Sequence, residues 1–201
     1  MAPERANFNT ADFLDQHNIP TAPVAANFFR VSDGGNAAFA GLRSAKMGLK
    51  NIPGVIGPDL LHALASMGHG DEIVLADAGF PTSSVCRGGG AQELRADGHG
   101  MPLILSAVLR LLPLDTYVQQ PAVVMDLVPE DKERGLQVPL WPIYQQLIAQ
   151  IDGKNVELEK VERFAFYERA KKAYAVVATG EMQPYANLIL VKGIVDQNAV
   201  P

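Results

Sequence analysis

Helical and strand-like segments alternate along this chain from residue 58 onwards, and this alternation constrains its fold more than any other feature. The runs of apolar residues at 73–76, 175–178 and 188–191 are the length of buried strands. Between such runs, as at residues 141–151, apolar residues recur at helical spacing. Because some connections are short, the pattern predicts a layered single-domain α/β fold, with a central mixed sheet covered by helices.

The same periodicities give expected bounds for individual elements. Proline and aspartate at the start and glycine at the end indicate helix limits, and clusters of β-branched residues indicate strands. Helices are expected over residues 58–67, from 102 to just before 113, over 141–151 and over 166–173, and strands over 73–76, 122–128, 156–161, 175–178 and 188–191.

The chain divides at about residue 46. Residues 47–201 have the regular patterns of one globular domain, and 48% of the whole chain is hydrophobic against 19% charged. Residues 1–46 contain Pro3, Pro20 and Pro23 and a glycine pair at 34–35, which interrupt any helical or alternating pattern. A poorly ordered N-terminal extension is therefore expected, with Met47 as a possible second start.

Charge, hydropathy and cysteine content limit the kinds of binding partner and the cellular location that are expected. A net charge of −5 argues against a nucleic-acid partner, since phosphate binding relies on clustered Lys and Arg. Every apolar run is far shorter than the roughly 20 residues of a membrane-spanning helix. The single Cys86 reads as a reduced thiol, and early acids such as Asp12 argue against a secretion signal, so a soluble cytoplasmic protein is expected.

No short motif assigns a chemistry. His and Cys spacings that predict a metal site are missing, and no metal or other cofactor is expected. His69 follows a glycine that ends a predicted helix, and Asp77 closes an apolar strand. Each residue fits either a catalytic site or an ordinary loop or cap. Asp115 likewise fits either a site or a turn in which it bonds its own backbone.

Four further positions carry the same ambiguity. Arg163 and Tyr167 are four residues apart, which places them on one side of a helix. Arg163 could instead form an ion pair with Glu159 or Glu162. Tyr185 and Asn187 precede the last predicted strand and could be simple turn residues.

Six ordered motifs add what periodicity alone does not show. They cover residues 67–73 (MGHGDEI), 77–81 (DAGFP), 95–98 (RADG), 112–117 (LPLDTY), 163–170 (RFAFYERA) and 178–181 (ATGE). Through them, residues 47 to about 193 resemble the family of L-fucose mutarotases and D-ribose pyranases, and look closest to its vertebrate members. The resemblance implies a D-ribose pyranase-like fold and interconversion of the anomers of free L-fucose, with D-ribose as a further substrate.

The resemblance also implies residue roles and assembly. It makes His69 the proton donor and places six residues around the sugar: Asp77, Asp115, Arg163, Tyr167, Tyr185 and Asn187. It further implies a homo-oligomer whose sites form where subunits meet, in rings that can stack into a decamer.

Mutarotation needs one group to protonate the ring oxygen and another to take the anomeric hydroxyl proton. Histidine suits the first role because imidazole ordinarily changes charge near neutral pH. Tyr167, or alternatively Tyr185, could handle the other proton if Arg163 stabilises a partial phenolate. A non-catalytic monosaccharide-binding protein is the main alternative. An aldose isomerase is a weaker one, since moving a carbonyl calls for a metal or a strong carboxylate base.

The sequence differs from the family pattern at two positions, and the distance between His69 and Asp77 is not fixed by the sequence. Ala186 stands where relatives often have glycine, so a positive φ angle there would be strained, and Gly79 stands where they carry a larger polar residue. His69 and Asp77 flank one strand and could lie up to about 27 Å apart if that stretch is fully extended. Either a turn at Gly70 and Asp71 shortens the distance, or the site combines two chains.

Overall fold

The computed structural model describes residues 49–195. The predicted extension over residues 1–46 lies outside the described residues. The described part contains helices α1 (Pro58–Ser66), α2 (Thr82–Arg87), α3 (Met101–Leu109), α4 (Pro129–Glu133), α5 (Leu140–Ile151) and α6 (Arg163–Lys172), and strands β1 (Glu72–Ala76), β2 (Gln92–Ala96), β3 (Ala122–Met125), β4 (Glu159–Val161), β5 (Ala175–Thr179) and β6 (Leu188–Val191).

The six strands form one mixed sheet in the order β2-β5-β1-β6-β3-β4. Strands β2, β5 and β1 are parallel to one another, and β6 is antiparallel to both β1 and β3. Because β4 is parallel to β3, five strands share one direction and β6 alone opposes them. The predicted layered α/β domain with a mixed sheet is confirmed.

This topology defines two ends of the sheet. At the carboxyl end, the last residues of β1 to β5 meet the first residue of β6, Leu188. At the amino end, Glu72 of β1 pairs with Val191, the last residue of β6. Side chains that follow β1 and those that precede β6 therefore lie together, whereas those that precede β1 lie at the opposite end.

Both faces of the sheet are covered, which explains why its central strands are apolar without interruption. Ile73 and Leu75 of β1 point into a core shared with α1, α3 and α5. Val74 and Ala76 point to the other face, into a second core shared with α2 and α6. All five residues of β5 are buried for the same reason.

The predicted start of the first helix is confirmed in detail. Pro58 occupies the first turn, where its missing N–H costs no hydrogen bond, and Asp59 lies beside it at the positive end of the helix dipole. Leu60 and Leu64 are buried on the face that packs against the sheet. The strands expected near residues 73–76, 122–128, 156–161, 175–178 and 188–191 are all present, the second and third being shorter than expected.

Sequence reasoning missed α2, β2 and α4. The two helices have only six and five residues, too few to show a helical repeat. Strand β2 lies at one margin of the sheet and buries only Leu94 and Ala96, so it lacks the apolar run that marked the central strands. Within residues 49–195, no helix is both long enough and apolar enough to cross a membrane.

Candidate functional site

His69 lies in the loop between α1 and β1, at the amino end of the sheet. Gly70 next to it has a φ angle of +83°, which favours glycine, and its N–H donates to the Lys192 carbonyl at 2.8 Å. The Lys192 ammonium donates to the carbonyls of Leu64, at 3.0 Å, and Met67. A cation is thus placed at the negative end of α1, and the loop that carries His69 is fixed to the end of β6.

Asp115 is the hydrogen-bond partner of His69. Its Oδ1 lies 3.1 Å from His69 Nε2 and accepts the Tyr117 N–H at 2.9 Å. The Tyr117 N–H and His69 hold the pKa of this carboxyl below its ordinary value, against the opposing effect of burial. An ionised carboxylate only accepts, so Nε2 carries the hydrogen of this bond. The His69 side chain is 42% exposed, against 4% for Asp115.

Asp77 and Asn187 form a reciprocal pair at the carboxyl end of the sheet. The Asn187 amide donates to Asp77 Oδ2 at 2.8 Å, and its carbonyl oxygen accepts the Asp77 N–H at 2.9 Å. Burial raises the pKa of the Asp77 carboxyl, although hydrogen bonds from Gly79 and Asn187 oppose the shift. A cavity of about 280 Å³ adjoins Asp77 on the β2 side, where Arg95 and Thr179 contribute to its wall.

Gly79 takes part in the surroundings of Asp77 through its backbone N–H. Its N–H donates to Asp77 Oδ1 at 3.0 Å. A Cβ atom at this position would lie 3.4 Å from the same oxygen, which is an ordinary contact. The Cβ atom of a larger residue would therefore fit here without moving Asp77.

The turn before β6 is held by side chains of α5. The Trp141 Nε1–H donates to the Tyr185 carbonyl at 3.1 Å, and the buried Tyr144 hydroxyl donates to the Ala186 carbonyl at 2.8 Å. Within residues 49–195, only Asn51 and Tyr185 among non-glycine residues have positive φ, with 61° at Tyr185. The strain expected of an alanine at position 186 is therefore not found, because the left-handed residue is its neighbour.

Arg163 opens α6 at the carboxyl end of the sheet. The two glutamates considered as its ion-pair partners are engaged elsewhere. Glu162 caps the helix by accepting the N–H groups of the second and third helical residues at 2.7 and 3.0 Å, and Glu159 pairs with Arg169 at 3.0 Å. The Arg163 guanidinium lies 4.7 Å from the centre of the Phe164 ring.

Tyr167 lies one helical turn after Arg163 and packs against the residues that follow β1. Its ring meets Phe80 edge-on at 5.4 Å between centres. Tyr167 and Tyr185 border the same core cluster, and the positive charge of Arg163 acts on the Tyr185 phenol. The predicted residues Asp77, Arg163, Tyr167, Tyr185 and Asn187 thus share one end of the sheet.

His69 and Asp115 lie at the opposite end of the sheet from these five residues. Strand β1 separates His69 from Asp77, and its five residues at about 3.3 Å each span roughly 16 Å. The turn at Gly70 and Asp71 lies before the strand, so it leaves this separation in place. One sugar of a few ångströms cannot contact both groups of one chain.

Three contributors to the carboxyl-end group escaped sequence reasoning: Asp131, Trp141 and Tyr144. The Tyr185 hydroxyl donates to the Asp131 carboxylate at 2.6 Å across 54 positions of sequence. Pro129 and the acids after it are ordinary helix-start signals and could have revealed α4, but no local pattern reports a partner so distant. Among residues 49–195, no three His, Cys, Asp or Glu side chains are grouped so as to hold a metal ion.

Comparison with known proteins assigns the family. Residues 50–195 match the model of the RbsD / FucU transport protein family. The chain belongs to this family. The chain is 66% identical to the fucose mutarotase of Mus musculus over 148 residues, which cover 74% of this chain and 95% of the relative.

Solved structures of the RbsD / FucU family show the same architecture. The fucose mutarotase of Streptococcus pneumoniae, in complex with L-fucose, is 45% identical with a TM-score of 0.66, and the match covers 74% of this chain and 100% of that one. Bacillus subtilis RbsD, complexed with D-ribose, is 23% identical with a TM-score of 0.51, covering 70% and 95%. The second likeness bears on the fold alone.

Proposed function

We propose that this chain is an L-fucose mutarotase, which interconverts the α and β anomers of free L-fucose without a metal or organic cofactor. The observation that carries the proposal is the His69–Asp115 pair, in which an ionised, buried carboxylate orients a half-exposed imidazole. Such a pair supports general acid/base chemistry. Relatives named fucose mutarotase, one of them in complex with L-fucose, supply the substrate.

In the proposed reaction, the His69 imidazolium gives a proton to the ring oxygen of the sugar while a second group removes the proton of the anomeric hydroxyl. The bond between the anomeric carbon and the ring oxygen breaks, and an open-chain aldehyde forms. Rotation about the adjacent carbon–carbon bond presents the other face, and the reverse proton transfers close the ring. No atom or electron is gained or lost, so the reaction needs no co-reactant.

We assign Asp115 to orienting His69 rather than to holding the sugar as the family resemblance implied. The Asp115 side chain is buried, and its hydrogen bonds are made to groups of the same chain. Asp77, Asn187, Arg163 and Tyr185 are the proposed sugar-holding groups, and Tyr167 is the proposed partner in proton transfer. A sugar hydroxyl needs directional donors and acceptors, and one buried group left without a partner costs about 1 to 3 kcal/mol.

The separation of the two groups supports a site shared between subunits. In this proposal the amino end of one sheet meets the carboxyl end of a neighbouring sheet in a homo-oligomer. A repeating contact of this kind closes a ring if the rotation permits. Stacking of two rings into a decamer and a cytoplasmic location also stay predictions.

The deciding experiment is anomer exchange by NMR saturation transfer on the full chain with L-fucose. Exchange faster than in buffer, without added metal, is expected, and D-ribose in the same assay tests the second substrate. A folded sample that binds L-fucose and leaves the exchange rate unchanged would favour the non-catalytic sugar-binding protein. Such a protein needs the carboxyl-end residues but not His69 as a proton donor.

A further inference from the structure

Asp131 lies on α4, outside the residues to which the proposed reaction gives a role. Its carboxylate accepts the Tyr185 hydroxyl hydrogen at 2.6 Å. We propose that Asp131 is a positioning residue, which engages the only hydrogen of the Tyr185 hydroxyl and thereby makes Tyr185 an acceptor for one sugar hydroxyl. This inference rests on the proposed function, since it concerns how the same site holds its sugar.

The direction of the hydrogen bond follows from the chemistry of the pair. An ionised carboxylate has no proton to donate, so the phenol donates. A phenol oxygen that has donated its one hydrogen keeps lone pairs, and these can only accept. A sugar hydroxyl that meets Tyr185 must therefore act as the donor, which restricts the orientation of the hydroxyls that fit.

The surroundings of Asp131 leave Tyr185 as its close partner. Asp131 is half-buried, and Arg134, the residue that follows α4, lies 3.7 Å away with its side chain 78% exposed. Lys132 points instead to Asp126. An ion pair as exposed as that of Arg134 contributes little, so the phenol is the contact that fixes the carboxylate.

The backbone of Tyr185 is already fixed by other groups. It has a left-handed φ of 61°, and its carbonyl accepts the Trp141 indole N–H at 3.1 Å. The next carbonyl is held by Tyr144, and Asn187 is bound to Asp77. The Tyr185 ring packs against the core, and the bond to Asp131 fixes the position of its hydroxyl.

The contact between Asp131 and Tyr185 also bears on which tyrosine handles the second proton of the proposed reaction. The Asp131 carboxylate and burial raise the pKa of Tyr185, and the Val128 N–H and the charge of Arg163 oppose them only in part. The one hydrogen of the Tyr185 hydroxyl is engaged by Asp131, and its raised pKa disfavours the phenolate, so Tyr185 is assigned to holding the sugar rather than to proton transfer. Of the two tyrosines that sequence analysis left open, Tyr167 is then the one available to handle the second proton.

The variants that test the inference are Asp131→Ala and Asp131→Asn, with Glu130→Gln as the matched control. Glu130 is the neighbouring acid on α4 and is exposed, so its substitution removes a similar charge without touching Tyr185. In anomer exchange, Asp131→Ala should raise KM for L-fucose about 10-fold with a much smaller change in kcat, because it removes orientation rather than a proton-transfer group. Asp131→Asn keeps an acceptor oxygen and should restore most of the KM.

A double-mutant cycle and a titration separate positioning from a general structural effect. In a Tyr185→Phe background, Asp131→Ala should cause little further rise in KM, since the two residues act through one contact. The phenolate absorbance of Tyr185, obtained as the difference between the full chain and Tyr185→Phe, should appear at lower pH in Asp131→Asn than in the parent. This titration needs no activity.

The outcomes are distinguishable. An active parent in which Asp131→Ala behaves like Glu130→Gln would overturn the inference and leave the proposed function standing. An unchanged Tyr185 titration in Asp131→Asn would also overturn it. If the parent shows no exchange, the proposed function fails, and a shifted titration would still establish the pairing. Circular dichroism checks folding, and Asp131→Asn carries the test if Asp131→Ala does not fold.

Discussion

At the scale of single residues, the surroundings of two carboxyl groups of the proposed site shift their pKa values in opposite directions. The pKa of Asp115 is lowered because the Tyr117 N–H and His69 stabilise its charge. The pKa of Asp77 is raised because burial penalises its charge more than its hydrogen bonds compensate. Asp115 therefore suits the permanent anion that orients a histidine, whereas Asp77 suits a carboxyl that can exchange hydrogen bonds with a sugar.

The first prediction concerns the His69–Asp115 pair. His69→Ala should slow L-fucose anomer exchange by about 10²-fold or more, because each well-placed proton transfer contributes about 10²- to 10⁴-fold. Asp115→Asn should slow it by about 10-fold and add little to His69→Ala, since the aspartate acts through the histidine. Saturation transfer measures all three variants, and Asp59→Asn on the exposed side of α1 is the control. Independent, additive losses would contradict this division of roles.

A second prediction concerns acid stability. Because the pKa of Asp115 is lowered in the folded protein, its contribution is fully present above the ordinary aspartate pKa of about 3.9 and is lost as pH falls through the lower, folded value. The stability difference between the parent and Asp115→Asn should therefore be largest at neutral pH and shrink below about pH 4. Urea unfolding at a series of pH values measures it.

Asp77 provides a contrast with the opposite sign. Because the pKa of Asp77 is raised in the folded protein, its ionisation costs stability. The cost is full above the folded value, shrinks as pH falls through it and is absent below the ordinary aspartate pKa of about 3.9. A difference between parent and Asp77→Asn that follows the same pH course as the Asp115→Asn series would show that burial does not dominate at Asp77.

At the scale of secondary-structure elements, α5 does more than cover the sheet. Its apolar face, with Ile143 and Leu147, is fully buried in the core. The side chains of Trp141 and Tyr144 on the same helix donate to two successive carbonyls of the turn that carries Tyr185, a residue of the proposed site. Core packing and site geometry are therefore coupled through one helix.

The third prediction tests this coupling. Tyr144→Phe keeps the ring in the core but removes the hydrogen bond to the Ala186 carbonyl, which leaves a buried acceptor unsatisfied. The free energy of unfolding should fall by about 1 to 3 kcal/mol, and KM for L-fucose should rise. Urea denaturation and anomer exchange measure the two effects. Tyr174→Phe, at a half-buried position next to β5, is the matched control. A loss of stability with unchanged KM would show that the turn keeps its shape without Tyr144.

At the scale of the whole molecule, the sheet itself keeps the two parts of the proposed site apart. His69 precedes β1 and Tyr167 packs on residues that follow it, so no loop rearrangement within one chain joins them. Exposed aromatic side chains occur at both ends: Tyr117 is 77% exposed beside His69, and Phe164 is 62% exposed beside Tyr167. Apolar groups so placed are suited to contact between copies of the chain.

The fourth prediction follows from this separation. When His69→Ala and Tyr167→Ala chains are mixed and allowed to exchange subunits, sites built across an interface should be intact in about one case in four by random pairing. Activity should then rise to about a quarter of the parent value, although each variant alone is nearly inactive. Sedimentation verifies assembly and subunit exchange, and parent mixed with either variant calibrates the scale. No recovery in verified mixed assemblies would place both residues in one site of one chain.

The sequence by itself determined the local features of this protein. Apolar runs such as residues 175–178 specified buried strands, Pro58 and Asp59 specified a helix start, and the ordered motifs indicated the family. These features are readable because each depends on residues within one or two turns of one another. The helices α2 and α4 and the marginal strand β2 were missed because they are short or half-exposed.

Tertiary structure alone decided which residues meet. His69 bonds to Asp115 across 46 positions, and Asp77 bonds to Asn187 across 110. Both pairings depend on β6 running antiparallel to β1, a choice made by packing of the whole sheet and not by any local signal. The same topology placed the candidate proton donor and the candidate sugar-holding residues at opposite ends, because side chains before and after one strand are separated by its length.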